Sequence, residues 1–352
     1  MRPIFKYVLL VILLLLIAFG GFLMYMTLND YKPALEIELA TSEKAPVLTD
    51  TSTIEMLSWN IGYCGLNKEM DFFYDGGEQV YPTQEVVCKN IKGVKQELDA
   101  FRNIDFVLFQ EIDKEAKRSH ETNQVDTLAN FFKGYHAVYA QNYLVSFVPM
   151  PVTKPMGKVN SGLLSISKYV PYSSVRRSFE GTFAWPTSIF MLDRCYLVNR
   201  YPLTNGKELL VINTHNDAYD EGNLRKAQME QIQKYLIAEY EKGNYIIVGG
   251  DWNQCPPKFI DQFEKDVMDF ESKMDISPDL FPADWTWLYD SSNPTNRRVK
   301  SYYEQGKTLT TVIDFYLLSP NISALSVKNI VMGFIFSDHQ AVYAKVKLNS
   351  TK

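Results

Sequence analysis

The stretch that most constrains the fold is Tyr245-Ile246-Ile247-Val248-Gly249-Gly250-Asp251-Trp252-Asn253-Gln254. Four residues suited to a buried strand run into two glycines, and an aspartate and an asparagine follow two positions apart. A short apolar run closed by glycines reads as a core strand reaching its end. Polar groups at such an end stand on a rigid support and face a cleft. If extended geometry continues, Asp251 and Asn253 point the same way. The simpler reading is an Asp/Asn turn after a buried strand. Other strand ends decide between the two.

They repeat the pattern. Ile54–Asn60 is an apolar run that ends in Asn60, and Phe106–Phe109 leads into Gln110, Glu111 and Asp113. Leu209–His215 ends in His215, and Ser337-Asp338-His339 leads into an apolar run over 341–346. Thr311–Leu318 reads as one strand with Asp314 embedded among apolar neighbours. Each residue alone has an ordinary explanation as a solvated acid or a satisfied core histidine. Only four histidines exist in the chain, and two of them stand beside such junctions. Six coincidences are harder to accept than one site.

Between these strands the spacing of Val87, Ile91, Val94, Leu98 and Phe101 predicts an amphipathic helix, as does that of Met229, Ile232, Leu236 and Tyr240 before Gly243. A short helix is expected near 125–132, and strands near 135–140, 163–167 and 195–198. The segment Asn142–Asn160, rich in proline and aromatics, reads as a loop forming a cleft wall. A long irregular stretch extends to about residue 305. Strands interleaved with helices, without repeats, predict two packed sheets flanked by helices in one domain over 53–352.

The N-terminus differs. Arg2 and Lys6 precede an apolar run from Tyr7 to Met26, about 20 residues, which is the length that spans a bilayer. Positive residues before the run place the remainder outside the cytoplasm. The rival is a cleaved signal peptide with Ala18-Phe19-Gly20 as cleavage site, but apolar residues continue past it, which favours an anchor over 1–26. If the segment is cleaved, the protein is secreted. Residues 27–52 read as a tether with one short edge strand at 35–39. The formal charge of −5 argues against a protein that grips long nucleic acid through many phosphates. The four cysteines, Cys64, Cys88, Cys195 and Cys255, lack zinc-site spacing and read as buried free thiols.

The ordered set SWN, FQE, TH, GGDWN, ID and SDH resembles the endonuclease/exonuclease/phosphatase superfamily, over about residues 54 to 348. The segments DFFYDGG and NYLVSFVP…GKVNSGLLSISKY are similar to a bacterial branch of it. The resemblance implies a DNase I-like four-layer α/β sandwich of two mainly antiparallel sheets flanked by helices. It implies Mg2+ chemistry, with Mn2+ as a substitute. Asn60, Glu111 and Asp338 would serve the metal, Glu111 foremost, with Asn60 orienting it or binding the same ion. Asp251 would orient or deprotonate water, Asn253 would donate to the phosphate, and His339 would contact the phosphate with Asp314 fixing its tautomer. His215 would be a second imidazole there, and Arg194 would hydrogen-bond near the site. Inositol phosphatases of the superfamily carry a longer signature that is absent here.

The expected function is therefore a membrane-anchored, extracytoplasmic, Mg2+-dependent phosphodiester hydrolase. Its expected partners are a phosphate-ester substrate (nucleic acid, lipid headgroup or small molecule) and the lipid bilayer, with no protein partner. The alternatives are a phosphatase or phospholipase C-type enzyme on lipid headgroups or small esters, and a non-catalytic binding module on the same fold. Tyr143, Lys158, Asp217, Tyr219, Trp285 and Arg297 are further candidates for the cleft wall, or else packing and solvated residues.

Overall fold

A computed structural model describes residues 2–41, 46–218, 224–260, 262–263 and 275–350. The chain begins with helix α1 (Arg2–Leu28), then β1 (Glu36–Thr41), β2 (Thr53–Asn60), α2 (Gln84–Leu98), β3 (Phe106–Asp113) and α3 (Gln124–Phe131). Next come β4 (His136–Val148), β5 (Gly157–Ser167), β6 (Ser173–Ser178), β7 (Cys195–Pro202), β8 (Glu208–His215), α4 (Leu224–Glu241) and β9 (Tyr245–Asp251). The remaining strands are β10 (Thr286–Leu288), β11 (Asn296–Arg297), β12 (Thr310–Thr311), β13 (Asp314–Leu318), β14 (Ile322–Asn329) and β15 (Val342–Leu348).

Among the described residues these strands build two large sheets, ordered β1-β6-β7-β8-β9-β13-β10 and β14-β15-β2-β3-β5-β4. Alternate residues along each strand serve opposite layers, because successive side chains of a strand point to opposite faces. Met56, Phe106, Leu108, Leu209, Val211 and Ile247 fill the space between the sheets. Leu57, Val107 and Phe109 turn outward against α2 and α3, while Leu210, Ile212 and Val248 turn outward against α4. With both faces covered the central strands need continuous apolar runs, and each fully buried Ile or Leu contributes about 1.5–3 kcal/mol. The result is the DNase I-like sandwich.

Each sheet contains one parallel pair in an otherwise antiparallel set. β2 runs parallel to β3, in register Asn60↔Gln110, and β8 runs parallel to β9, in register His215↔Asp251. Parallel neighbours require a crossover, which α2 and α4 supply, and both pairs deliver their C-terminal ends to one shared edge. Beneath that edge Gln110 Nε2 donates to Asn213 Oδ1 at 2.7 Å, and Asn213 Nδ2 donates to the carbonyls of Phe109 and Leu164. These buried polar bonds pin one sheet to the other.

Several elements differ from expectation. The 142–160 segment is not a loop: β4 and β5 continue through most of it as a long hairpin, whose tip nonetheless walls the cleft. The 311–318 run is split, because Thr295 Oγ1 accepts from the backbone N–H of Ile313 and Asp314 and interrupts the strand. Asp314 therefore opens β13 instead of lying inside a strand. β6 escapes the alternation rule because its inward positions, Ser174, Arg176 and Ser178, are polar. Arg176 is satisfied there by the carbonyls of Gln141 and Asp193 and by Ser178 Oγ. β1 joins the sheet edge through β6, and Leu48 bonds to Pro202 and Thr204, so the stretch before β2 is tied to the body. All four cysteines are free thiols, with Cys88 exposed and the other three buried.

Candidate active site

The C-terminal ends of β2, β3, β8 and β9 meet the start of β13 and the turn before β15. Asn60 Nδ2 donates to Asp251 Oδ2 at 2.9 Å and lies 3.4 Å from Glu111 Oε1. Asn60 Oδ1 accepts from the N–H of Gly62 at 3.0 Å. That bond takes one of the oxygen's two lone pairs, so Asn60 orients two carboxylates through Nδ2 and keeps a lone pair for a cation.

Glu111 sits on a β-bulge between Phe109 and Ile112, with φ +49°. A non-glycine residue in the left-handed region is strained, and bulges re-aim side chains beside functional sites. Here the bulge turns Glu111 out of the inter-sheet core and into the cleft. Extended geometry also stops at Asp251: Asn253 has φ +50°, so the two side chains do not share a direction by strand alternation. Asp251 Oδ1 accepts from the N–H of Asn253, and Asn253 Nδ2 donates to the carbonyl of Asn216, both at 2.9 Å. Asn253 still lines the cleft.

His339 is the most heavily engaged group. Its Nδ1 donates to Asp314 Oδ2 at 2.8 Å, and its Nε2 lies 3.7 Å from Asp251 Oδ2 and 3.9 Å from Asp338 Oδ2. Burial, the largest single influence, opposes charge on the ring, but Asp314, Asp251 and Asp338 together outweigh it and hold the pKa well above the usual histidine range. Asn296 Nδ2 stands 2.9 Å from Nε2, an orientation that suits a neutral ring. Three carboxylates around one ring favour the cation, for which the Asn296 amide would turn to present Oδ1. Asp251, Asp314 and His339 also lie close enough together to share an ion. The 2.8 Å hydrogen bond commits Nδ1 to Asp314, which leaves Nε2 as the ring atom for such an ion.

His215 behaves in the opposite way. Burial first, and then the nearby Arg194 and His339, push its pKa well below the usual range, so the ring is neutral. Its Nε2 lies 3.4 Å from Asp251 Oδ2, and its Nδ1 has no hydrogen-bond partner among the described residues. Arg194, just before β7, is buried, and neither its Nε nor its Nη1 finds a partner among the described residues. Unpaired buried donors are costly, and these face the cleft. Burial pushes Asp251 up to about 6 and Asp338 up to about 7.

The residue set fits a hard divalent cation. Glu111, Asp251 and Asp338 line the cleft together with Arg194 and His339, and Asp314 lies buried against the His339 ring. Asp251 and Asp338 have pKa values raised first by burial and then by a neighbouring carboxylate, a penalty that a bound cation relieves.

Of the further cleft candidates, Tyr143 lines the cleft and donates to the carbonyl of Phe190. Arg297 reaches it too, but spends its guanidinium on the carbonyls of Asn67, Met70, Arg298 and Ser301. Trp285 packs in the core beside α4, and Lys158 pairs with Glu115 on the surface. Asp217 is buried, with its N–H bonded to Gln228, and Tyr219 lies outside the described residues. The residue that sequence reasoning missed is Asn296, brought to the imidazole by the β11–β12 pair and a bridge to His339.

The fold recurs in solved structures. An endonuclease/exonuclease/phosphatase from Beutenbergia cavernae DSM 12333 is similar at 14% identity and TM-score 0.55, over 85% of this chain and 72% of its own. ANGEL2, a 2',3'-cyclic phosphatase solved with adenosine-2',3'-vanadate, is similar at 15% identity and TM-score 0.55, over 88% of this chain and 100% of its own. TDP2 of D. rerio, complexed with single strand DNA product, is similar at 14% identity and TM-score 0.50, over 84% of this chain and 99% of its own. At such identities the likeness concerns the fold alone. No curated protein matches the chain. The Endonuclease/Exonuclease/phosphatase family model, in contrast, matches residues 57–339, which span every strand end described above. The chain belongs to the endonuclease/exonuclease/phosphatase family.

Proposed function

We propose that the protein is a divalent-metal-dependent phosphodiester hydrolase, held to a membrane by α1 with its catalytic body outside the cytoplasm. The observation that carries the reading is the charged constellation at the shared sheet edge, above all the buried Asp314–His339 pair in the same cleft as Arg194, whose Nε and Nη1 have no partner among the described residues. A phosphodiester resists attack because its anionic oxygens repel nucleophiles and its leaving group is poor. Arg194 answers the first difficulty by donating hydrogen bonds to the phosphate oxygens, and cationic His339 by placing its positive charge beside them. Asp314 keeps the imidazole in the orientation and charge state that this requires.

Asp251 is the group for the attacking water. Its pKa, raised by burial to about 6, lets it accept a proton near neutral pH, and Asn60 fixes its carboxylate. Neutral His215 lies 3.4 Å from that carboxylate and donates to the same phosphate or to the water. Asn253, held by Asn216, orients the neighbouring backbone and offers its amide to the phosphate. Glu111 and Asp338 would hold Mg2+, or Mn2+ in its place, which supplies charge neutralisation at the phosphate and at the departing oxygen. Asn60 orients Glu111 in this scheme.

For α1, the run Ile4–Leu28 is long and apolar enough to cross a membrane, and the positive residues precede it. The test is hydrolysis of bis(4-nitrophenyl) phosphate by the purified full chain with Mg2+ or Mn2+, with chelator and with Glu111→Gln. Turnover that chelator and Glu111→Gln both abolish supports the reading. Chelator-resistant turnover that Glu111→Gln leaves intact contradicts it.

A further inference from the structure

The catalytic cleft is larger and more apolar than a phosphate site needs, and one of its walls is the N-terminal helix. The cleft measures about 1660 Å³ and runs from Asp251 and His339 to Phe19, Phe22 and Leu23 of α1. Pockets for compact ligands occupy about 300–1,000 Å³. Phe22 stacks on Phe190 with ring centroids 6.1 Å apart and meets Phe147 edge-on at 6.2 Å. Met26 is buried in the same apolar cluster as Tyr63, Tyr143 and Val148. Trp185 Nε1 donates to Thr27 Oγ1, also tying the end of the helix to the body.

The docking position sets a depth. From Ile4 to Gly21 the helix is exposed on all sides, and at 1.5 Å per residue that stretch rises about 27 Å. A bilayer's hydrocarbon is about 30 Å thick. The body thus meets the helix where the hydrocarbon ends, and Phe19, Phe22 and Leu23 stand at the boundary between acyl chains and headgroups. The hairpin tip there is apolar and open, with Met150 47% and Val152 80% exposed. Trp185, 60% exposed, stands beside Thr27 at the end of the helix, and indoles favour the interface.

We propose that this cleft takes a phospholipid of the bilayer, with its phosphodiester at the catalytic centre and its hydrocarbon in the groove between α1 and the β4–β5 hairpin. This rests on the hydrolase reading above and adds the substrate class. A nucleic acid would call for a basic track along its backbone. The cleft does carry arginines, but Arg118 is paired with Asp113 and Arg297 is spent on backbone carbonyls, and the arm of the groove against α1 is walled by Phe22, Phe147 and Phe190. Water adds its oxygen to phosphorus, one phosphorus–oxygen ester bond breaks with its electron pair on the departing oxygen, and a proton from the water ends there. No further co-reactant is needed.

The experiment uses the full chain reconstituted with Mg2+ in vesicles of phosphatidylethanolamine, phosphatidylglycerol, phosphatidylcholine and sphingomyelin in equal parts. Products are read by mass spectrometry, beside bis(4-nitrophenyl) phosphate and supercoiled plasmid. The expected result is release of diacylglycerol, ceramide or phosphatidic acid. Phe22→Asp in the helix and Met150→Glu on the exposed tip should each lower the ratio of vesicle to soluble-diester turnover at least tenfold. Soluble-diester cleavage without lipid products, plasmid nicking without lipid products, or a ratio unmoved in both variants overturns the lipid assignment and leaves the hydrolase. No turnover of any of the three removes both.

Discussion

Replacing Asp314 with asparagine preserves shape and removes one charge, so it isolates what the carboxylate does for His339. The two are joined at 2.8 Å with both side chains almost wholly buried, so water does not screen the pair. A hydrogen bond between charged groups contributes about 1.5–3 kcal/mol net. At about 1.4 kcal/mol per decade of rate, kcat for a diester should fall about 10- to 150-fold in Asp314→Asn. The loss should appear in kcat and leave KM nearly unchanged, because an imidazolium that stabilises developing charge acts in the transition state. Steady-state kinetics on bis(4-nitrophenyl) phosphate, with a thermal melt to confirm the fold, provide the assay. A variant that melts like the wild type and keeps kcat within about twofold would refute the positioning argument.

Three other outcomes follow from the same geometry. Asn296→Ala removes the amide 2.9 Å from His339 Nε2 and should cost about tenfold in kcat, the scale of one hydrogen bond, with little change in melting. Gly250→Ala would put a Cβ 2.0 Å from the carbonyl oxygen of Thr214, so β8 and β9 must separate. It should cost more than the ~1–3 kcal/mol typical of overpacking, seen as a lower melting temperature or loss of soluble protein. Burial works hardest against the charge on Glu239, but hydrogen bonds from Arg200, Lys242 and Asn244 outweigh it and hold its pKa at about 2. A depressed carboxyl contributes stability above its unfolded pKa of about 4.3 and loses it as pH falls toward the folded value. The urea midpoint of Glu239→Gln should thus lie below wild type at neutral pH, and the gap should narrow as pH drops from about 5 to 3. A constant gap would contradict that assignment.

The candidate site was legible because strand ends announce themselves: an apolar run stops, and Asn60, His215 or Asp251 appears at its last position, with Glu111 two residues past the run Phe106–Phe109. Parallel pairing then aligns those ends, which no spacing along the chain states directly. Three features stayed hidden, for different reasons. β6 buries Ser174, Arg176 and Ser178, so its inward face reads as polar. β14 is exposed along most of its length, so it carries no alternation of burial. Asn296 lies on a two-residue strand in a polar stretch, and only its pairing with β12 and its bridge to His339 give it a place in the site. The bulge at Glu111 and the left-handed turn at Asn253 are products of tertiary packing, and the expectation of shared side-chain direction at 251 and 253 failed for that reason. Hydropathy marked the first apolar run as a span. That Phe22 and Met26 dock onto the two-sheet body depends on surfaces that lie far apart in sequence.

The most direct test of the central claim is hydrolysis of bis(4-nitrophenyl) phosphate by the full chain with Mg2+ in water enriched in oxygen-18. If the residues at this edge direct water onto phosphorus, each product 4-nitrophenyl phosphate carries one heavy oxygen and the released nitrophenol carries none. Heavy oxygen in the nitrophenol, or no turnover with either Mg2+ or Mn2+, would contradict the account.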